Sequence, residues 1–236
     1  MVYSQLKEKV VVIIGASRGI GRATAELLDQ HEANLVLGAR DITELGQQFT
    51  RKEVYPLEID VRDEESVKHF VDQSVKRFGR IDVLINAAGV GTFSSVIDSD
   101  TTDFDDMLTV NLRGTYLSCK YFGKQMKQQQ DGQILNLVSI AGNTALAGGG
   151  GYSASKFGVL GLTKVLQAEL RTEGVRITSV LPGAVNSSFW DHIHPKPDVE
   201  NMIPAESIAE HIAFLLCQPK QSVVDEITIM PPEGIL

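Results

Sequence analysis

Cysteine is scarce in this chain, since Cys119 and Cys217 are the only two among 236 residues. A fold stapled by disulfides needs more cysteines, and neither of these stands at a spacing typical of metal ligands. The sequence therefore excludes a disulfide framework and favours two structural thiols in a reducing compartment.

Long apolar runs and an excess of basic charge are also missing. The segment before Val10 has no apolar core like that of a signal peptide, and no run approaches the roughly 20 apolar residues of a membrane-spanning helix. The net charge is −8, from 22 basic and 30 acidic residues, which does not suit non-specific binding of nucleic acid or anionic membranes. We expect a cytoplasmic globular protein without nucleic-acid or membrane partners.

Short strands alternate with helices along the whole chain. Val10–Ile14 is entirely apolar and β-branched, and Ile81–Ile85 is apolar except for Asp82, as is typical of strands buried on both faces of a parallel sheet. Helical patterns separate such strands, the longest at 102–127 and 151–172. No change of composition marks a linker. The sequence predicts one α/β domain over residues 1–236, with a doubly wound parallel sheet and helices on both faces.

One segment, at about 183–204, breaks this alternation. It is rich in proline and has no sustained period, and long irregular segments in compact domains are usually lids or disordered. The adjacent Phe189 and Trp190 favour a lid and are the candidate substrate contacts. His192 and His194 lack the further ligands that a metal site needs, so we expect no bound metal.

A glycine-rich turn follows the first strand. Gly15, Gly19 and Gly21 stand where that strand leads into a helix, and glycines there let the backbone approach a pyrophosphate, which the helix N-terminus stabilises. The spacing differs from the common dinucleotide fingerprint, and a strand–helix junction also uses glycine for geometry alone. The position after the first strand favours phosphate binding.

The end of the second strand indicates which nicotinamide cofactor fits. It reads Leu37–Arg40 with no carboxylate before the arginine, whereas an acidic residue there binds the ribose hydroxyls of NAD. Arg18 and Arg40 could converge on a 2′-phosphate, which favours NADP(H) over NAD(H); the alternative is that Arg40 is a solvated loop cation. Asp41 either opposes that phosphate or caps a helix, because Asp41–Glu44 has the form of a capping box.

A tyrosine, a lysine and a serine form the candidate catalytic set. On a helix, Tyr152 and Lys156 lie one turn apart on the same face, and an adjacent ammonium group favours the ionised phenol and so lowers its pKa. Ser139 stands at a separate strand end, where its hydroxyl could hold a carbonyl oxygen. A Tyr–Lys pair at this spacing is common on helix surfaces, so its co-occurrence with the glycine turn carries the interpretation.

Over nearly its whole length the sequence resembles the short-chain dehydrogenase/reductase family. The motifs that carry the resemblance are Gly15–Gly21, Asn86–Gly89, Asn111, Ser139, Tyr152, Lys156 and Pro182–Gly183. The resemblance implies a Rossmann-like sheet of seven strands and an NADP(H)-dependent oxidoreductase.

The resemblance also implies a role for each motif residue. Tyr152 would be the general acid–base, Lys156 would lower its pKa and bind the nicotinamide ribose, Ser139 would bind the substrate oxygen, and Asn111 would hold a water leading from Lys156 to solvent. The implied cofactor contacts are Gly15, Ser17, Arg18, Gly19, Ile20, Gly21, Ala39, Arg40, Asp60, Val61, Asn86, Ala87, Ala88, Gly89, Tyr152, Lys156, Pro182, Gly183 and Val185.

Two functional classes stay open. The first is a reductase of a small ketone, aldehyde or diketone, with 3-oxoacyl-[acyl-carrier-protein] reduction as the alternative. An acidic carrier protein needs a basic docking surface, which 128–131 and 172–173 do not supply, although Lys124, Lys127 and Arg171 are nearby. The second class is a non-catalytic NADP-binding sensor or scaffold, which the intact catalytic set disfavours. The resemblance further implies a homodimer or homotetramer built through the two longest helices and the C-terminal segment.

Overall fold

A parallel sheet of seven strands forms the centre of the computed structural model, which describes residues 2–193 and 197–235. In chain order the strands are β1 (Val10–Ile14), β2 (Asn34–Ala39), β3 (Val54–Glu58), β4 (Val83–Asn86), β5 (Gly132–Leu137), β6 (Val175–Pro182), β7 (Val185–Asn186), β8 (Ile203–Pro204) and β9 (Glu226–Ile229). The sheet order is β3–β2–β1–β4–β5–β6–β9, and β7 pairs with β8 in a separate ladder. This is the doubly wound Rossmann arrangement, which confirms the predicted fold class.

Helices cover both faces of the sheet. They are α1 (Gly19–Gln30), α2 (Thr43–Gln48), α3 (Glu64–Phe78), α4 (Thr101–Met107), α5 (Gly114–Gln129), α6 (Gly150–Leu170) and α7 (Ala205–Leu216), with short 3₁₀ segments at Val2–Leu6, Ile140–Gly142, Arg171–Glu173 and Ser188–His192. The long helix expected at 102–127 is interrupted, because Leu108–Arg113 forms a π-helical turn between α4 and α5. No helix within the described ranges combines the length and apolar content needed to cross a bilayer.

Strand β1 shows why the apolar runs are unbroken. Val11 and Ile13 pack in the core under α1 and α7, whereas Val10, Val12 and Ile14 pack in the core under α3 and α5. All five side chains are buried. A strand covered on both faces needs apolar residues at every position rather than at every second one.

The start of α2 differs from the predicted capping box. The helix begins at Thr43, whose backbone N–H donates to the Asp41 carboxylate at 2.9 Å. The Glu44 carboxylate pairs instead with Arg22 of α1, at 3.3 Å. The capping-box prediction was wrong because a charged partner from another helix takes the glutamate, while Asp41 still fixes the helix start.

Gly38 of β2 offers a test of this packing. An added Cβ would lie 2.8 Å from Phe70 Cζ and 2.9 Å from Ile59 Cγ2. We expect Gly38→Ala to lower the free energy of unfolding by about 1–3 kcal/mol, as overpacked cores do, measured by urea denaturation. Gly46→Ala in α2 is the matched control, since an added Cβ there meets nothing within 4 Å; it should be neutral or stabilise by up to about 1 kcal/mol. Equal stability of Gly38→Ala and the wild type would contradict the packing described.

Candidate active site

The glycine turn between β1 and α1 forms one end of the site. Gly15 has a φ of 91°, and an added Cβ would lie 2.5 Å from the backbone nitrogen of Ala88, so only glycine fits. The N-cap residue of α1, Arg18, makes no side-chain capping bond. The first N–H groups of the helix therefore suit an anion.

The segment Asn86–Gly89 continues β4 alongside this turn. The Asn86 side chain is buried; its Nδ2 donates to Asn136 Oδ1 at 2.8 Å, and its Oδ1 accepts from the Ser118 hydroxyl at 2.7 Å. Ala87 and Gly89 line the cavity instead. Any contact of Asn86 with a cofactor would therefore go through its backbone.

Asn111 lies in the π-helical turn and joins two parts of the site. Its Oδ1 accepts from the Val90 N–H, and its Nδ2 donates to the Val90 carbonyl and to the Ser155 hydroxyl, each at 2.9 Å. The Ser155 hydroxyl in turn donates to the carbonyl oxygen of Tyr152 at 2.8 Å. The Asn111 side chain thus connects the loop after β4 to the first turn of α6.

Ser139, Tyr152 and Lys156 meet at the carboxyl edge of the sheet. Ser139 follows β5 by two residues and its hydroxyl makes a hydrogen bond with Tyr152. The ammonium group of Lys156 donates to the Leu137 carbonyl at 2.8 Å and lies 5.7 Å from the centre of the Tyr152 ring. The structure therefore brings together the three residues that the sequence singled out.

A cavity of about 820 Å³ runs from the glycine turn past these three residues to the segment after β6. The predicted site residues that line it are Arg18, Gly19, Ile20, Ala87, Gly89, Ser139, Tyr152, Lys156, Pro182, Gly183, Val185, Phe189 and Trp190. Gly15, Ser17, Gly21 and Ala88 belong to the turn and strand end beside it.

The residues predicted for the adenosine end lie outside the cavity, after β2 and β3. Arg40 is exposed. Arg62 donates to the Asp60 carboxylate at 2.6 Å. This hydrogen bond, aided by the charge of Arg40, holds the pKa of Asp60 below its usual range. Val61 packs against Gly114, while Ala39 ends β2. A convergence of Arg40 with Arg18 on one phosphate stays a prediction.

Of the two histidines of the predicted lid, the structure describes His192. His192 is exposed, and His194 lies outside the described residues. In the ranges that the structure describes, no group of three His, Cys, Asp or Glu side chains could hold a metal ion.

Comparison with known proteins agrees with this arrangement. A sequence model of the family described as short chain dehydrogenase matches residues 9–198. The chain belongs to this family. An uncharacterized oxidoreductase of Staphylococcus saprophyticus is 35% identical over 240 residues, covering 97% of this chain and 98% of the relative.

Solved structures of other short-chain dehydrogenases are similar in fold. An alcohol dehydrogenase from the archaeon Thermococcus sibiricus, complexed with 5-hydroxy-NADP, has a TM-score of 0.86 and 33% identity over 94% of this chain and 96% of its own. A metagenomic short-chain oxidoreductase in complex with NADP has a TM-score of 0.82 and 32% identity over 96% and 98%. Family membership makes this chain an oxidoreductase.

Two residues of this short-chain dehydrogenase site escaped the sequence analysis. Phe93, in the loop after β4, stacks on Trp190 and lies 5.6 Å from the Tyr152 ring centre; a single aromatic residue in a loop has no periodic signal. Ser187 faces the glycine turn, with its Cβ 3.4 Å from where a Gly19 Cβ would be. Its position two residues after Val185 was the available signal.

The pKa values in the site depend mainly on burial. Burial raises the pKa of Tyr152 to about 12, although the hydrogen bond with Ser139 acts against this rise. Burial also lowers the pKa of Lys156 to about 8. Lys156 is not among the causes of the Tyr152 shift, since its ammonium group donates to the Leu137 carbonyl; the expectation that it lowers the pKa of Tyr152 stays a prediction.

The buried lysine makes stability depend on pH. Because the folded state depresses the pKa of Lys156 from 10.5 to about 8, its contribution to stability is fully present above pH 10.5 and is lost as the pH falls through 8. Between pH 8 and 10.5 the free energy of unfolding of the wild type should rise relative to Lys156→Met by about 3 kcal/mol. Urea denaturation across this range measures the difference. Lys164→Met, at an exposed lysine of the same helix, should run parallel to the wild type; parallel curves for Lys156→Met would contradict the burial described.

Proposed function

We propose that the chain is an NADP(H)-dependent reductase that converts the carbonyl group of a small ketone, aldehyde or diketone to an alcohol. The observation that carries the proposal is the meeting of Ser139, Tyr152 and Lys156 in one cavity with the glycine turn. Such a cavity combines a proton donor, a hydroxyl that can bind an oxygen, and a helix N-terminus that can bind a phosphate.

The residues at the glycine turn fit a dinucleotide that carries a 2′-phosphate. The N-terminus of α1, with Arg18 as its first cation, can receive a pyrophosphate. After β2 the chain offers Arg40, and the Asp41 carboxylate turns away to the Thr43 N–H, so an acid that would favour NAD is not presented there. The NADP bound in the metagenomic relative supports the same choice. Bound NADPH would supply the hydride.

Tyr152 is the proposed general acid, and Ser139 the proposed group that holds the substrate oxygen. Reduction leaves negative charge on that oxygen, so hydrogen-bond donors must already point at it. Tyr152 is protonated at neutral pH, as a general acid must be, and a cation beside it would bring its pKa closer to the working pH. Lys156 is charged below a pH of about 8 and would stabilise the phenolate that remains. Asn111 would keep the Tyr152 turn aligned with the loop after β4.

The segment 183–204 is proposed as a lid over the substrate. Its two ends are tied together where Val185 of β7 pairs with Ile203 of β8, so the chain leaves and re-enters the fold at one point. Between them Phe189 and Trp190 fold onto the cavity. Residues 194–196 of this segment lie outside the described residues.

A free small molecule is favoured over an acyl carrier protein. The nearby cations that could dock an acidic partner are largely neutralised, since Lys127 pairs with Glu173 at 2.8 Å and Arg171 pairs with Asp225 at 2.6 Å. Lys124 remains exposed on the surface. One exposed lysine is a weak docking site, because isolated surface charges contribute little.

Replacing the proposed acid tests the mechanism. We expect Tyr152→Phe to lower kcat by about 10²–10⁴-fold, the usual contribution of a positioned acid, while NADPH binding persists. NADPH oxidation with a panel of ketones, aldehydes and diketones measures turnover, and calorimetry measures binding. Tyr55→Phe, at a β3 tyrosine outside the cavity, is the control. Near-normal reduction by Tyr152→Phe would refute the assignment; wild-type NADPH binding without turnover of any carbonyl would favour a sensor.

We also propose that the protein forms a homodimer or homotetramer through α5 and α6. Phe157 and Val165 are 46% and 53% exposed and lie two turns apart on one face of α6. Tyr116 of α5, Leu112 of the π-helical turn and Leu162 of α6 line a largely apolar groove. An exposed apolar face of this kind is typical of a subunit contact.

A charge in this face should separate the subunits. We expect Phe157→Glu to halve the mass measured by light scattering, from a tetramer to a dimer or from a dimer to one chain of 25.7 kDa, because burying an unpaired carboxylate is costly. Phe214→Glu, at an exposed phenylalanine of α7, should leave at least a dimer. A monomeric wild type, or an unchanged Phe157→Glu assembly, would contradict the proposed interface.

A further inference from the structure

Three aromatic rings form one wall of the cavity beside Tyr152. Phe93 and Trp190 are stacked, with centres 5.8 Å apart and planes 19° apart, and Phe189 stands edge-on to both. The indole N–H of Trp190 donates to the Val185 carbonyl at 2.8 Å, which fixes the orientation of the indole. Phe93, Phe189 and Trp190 are called the aromatic wall below.

The aromatic wall reaches the ring of Tyr152 itself. The ring centres of Phe93 and Phe189 each lie 5.6 Å from that of Tyr152. Phe189 also fills the space over Gly91, where an added Cβ would lie 2.5 Å from Phe189 Cζ and 3.0 Å from Tyr152 Cδ2. A substrate whose carbonyl oxygen reaches the Tyr152 hydroxyl therefore has the aromatic wall beside its substituents.

Apolar side chains also line the cavity beyond the aromatic wall, together with the polar Thr144, Ser188 and Asn201. Leu146, Met202 and Ile235 line it together with the aromatic wall. Leu146 and Phe93 both approach Gly149, three residues before Tyr152, since an added Cβ there would lie 3.4 and 3.5 Å from them. An apolar substituent bound next to the proposed acid should therefore stabilise the complex, by about 1.5–3 kcal/mol of binding free energy for a buried phenyl-sized group.

Few charged side chains line the cavity. Among the described residues that line the cavity, the charged ones are Arg18, Lys156 and Asp198. Arg18 belongs to the glycine turn, and the Lys156 ammonium donates to the Leu137 carbonyl. Asp198 is left on the lid side, where it is exposed. Apart from Arg18 and Lys156, the described lining offers no cation that could pair with a carboxylate or phosphate on the substrate.

We propose that the substrate is an uncharged ketone carrying an aromatic or similarly planar apolar group, and that the aromatic wall binds this group. The inference rests on the proposed function, because it places the reacting carbonyl at Tyr152. Planar groups pack well against aromatic rings, and a substrate carboxylate would lose its hydration there without gaining a partner.

Turnover of three matched ketones tests this substrate class. With NADPH, we expect kcat/KM for ethyl benzoylformate to exceed that for benzoylformate by at least about 100-fold, because the latter adds an unpaired carboxylate. It should exceed that for ethyl pyruvate by about 10- to 100-fold, since the latter lacks the phenyl ring. Equal values within either pair, or a preference for the anion, would overturn the inference.

Binding can be measured without turnover, because Trp190 is the only tryptophan of the chain. Its emission should respond to ethyl mandelate at much lower concentration than to mandelate or ethyl lactate, which are the alcohols of the same three ketones. If no carbonyl is reduced but this order of binding holds, the proposed function is wrong, whereas binding of a planar apolar group by the aromatic wall is supported. If all three alcohols bind with equal affinity, the proposed binding role of the aromatic wall is wrong, whatever the turnover.

Two variants locate the effect. Phe93→Ala should lower the ratio of kcat/KM for ethyl benzoylformate to that for ethyl pyruvate by about 10-fold, as expected for lost aromatic contact area. Phe214→Ala, a phenylalanine outside the cavity, should leave the ratio unchanged. Asp198→Lys should raise kcat/KM for benzoylformate by about 10-fold, since it supplies a cation. An unchanged ratio in Phe93→Ala would contradict the role of the aromatic wall.

Discussion

Backbone atoms of Gly15 and Ala88 approach so closely that a Cβ on Gly15 would lie 2.5 Å from the Ala88 nitrogen. This contact lets β1 and β4 pair along their length and still separate at their carboxyl ends. The segment after β1 leads into α1, and the segment after β4 leads toward Asn111. The sheet order reverses between these two strands, and a crevice opens at such a reversal. The glycine turn, the candidate catalytic residues and the segment after β6 all line the cavity at that crevice, so each depends on the close approach of these two backbone segments.

Behind the crevice, buried polar side chains hold strands and helices in register. Asn86 and Asn136 join neighbouring strands at 2.8 Å, and Asn136 donates further to Thr163 of α6 at 3.0 Å. Ser118 links the same pair to α5. Buried polar groups are tolerated only when they are hydrogen-bonded, and a satisfied network favours one arrangement over near alternatives. The ammonium group of Lys156 is held by one hydrogen bond, to the backbone carbonyl of Leu137.

The parts of the fold that depend on local pattern were predictable, and those that depend on distant contacts were not. The strands were found because two-sided burial leaves a nearly unbroken apolar run, and the helix expected at 151–172 is α6, at Gly150–Leu170. The catalytic set was found because its residues are chemically unusual together. The π-helical turn was missed, since its residues do not break a helical pattern. The burial that raises the pKa of Tyr152 was missed because it depends on contacts from distant segments, among them the rings of Phe93 and Phe189.

The π-helical turn has a consequence for how the gene can vary in length. The N–H of Gly114 bonds to the carbonyl of Thr109, five residues back, so the turn holds one residue more than α-helical geometry would allow. Losing one codon there would restore a regular helix and rotate everything on one side of it by about 100° relative to the other. Asn111 would then turn away from the Val90 backbone, although no side chain of the site had been altered. The number of residues in this turn is therefore constrained as strongly as their identity, because it sets which way the side chains on either side of the turn point.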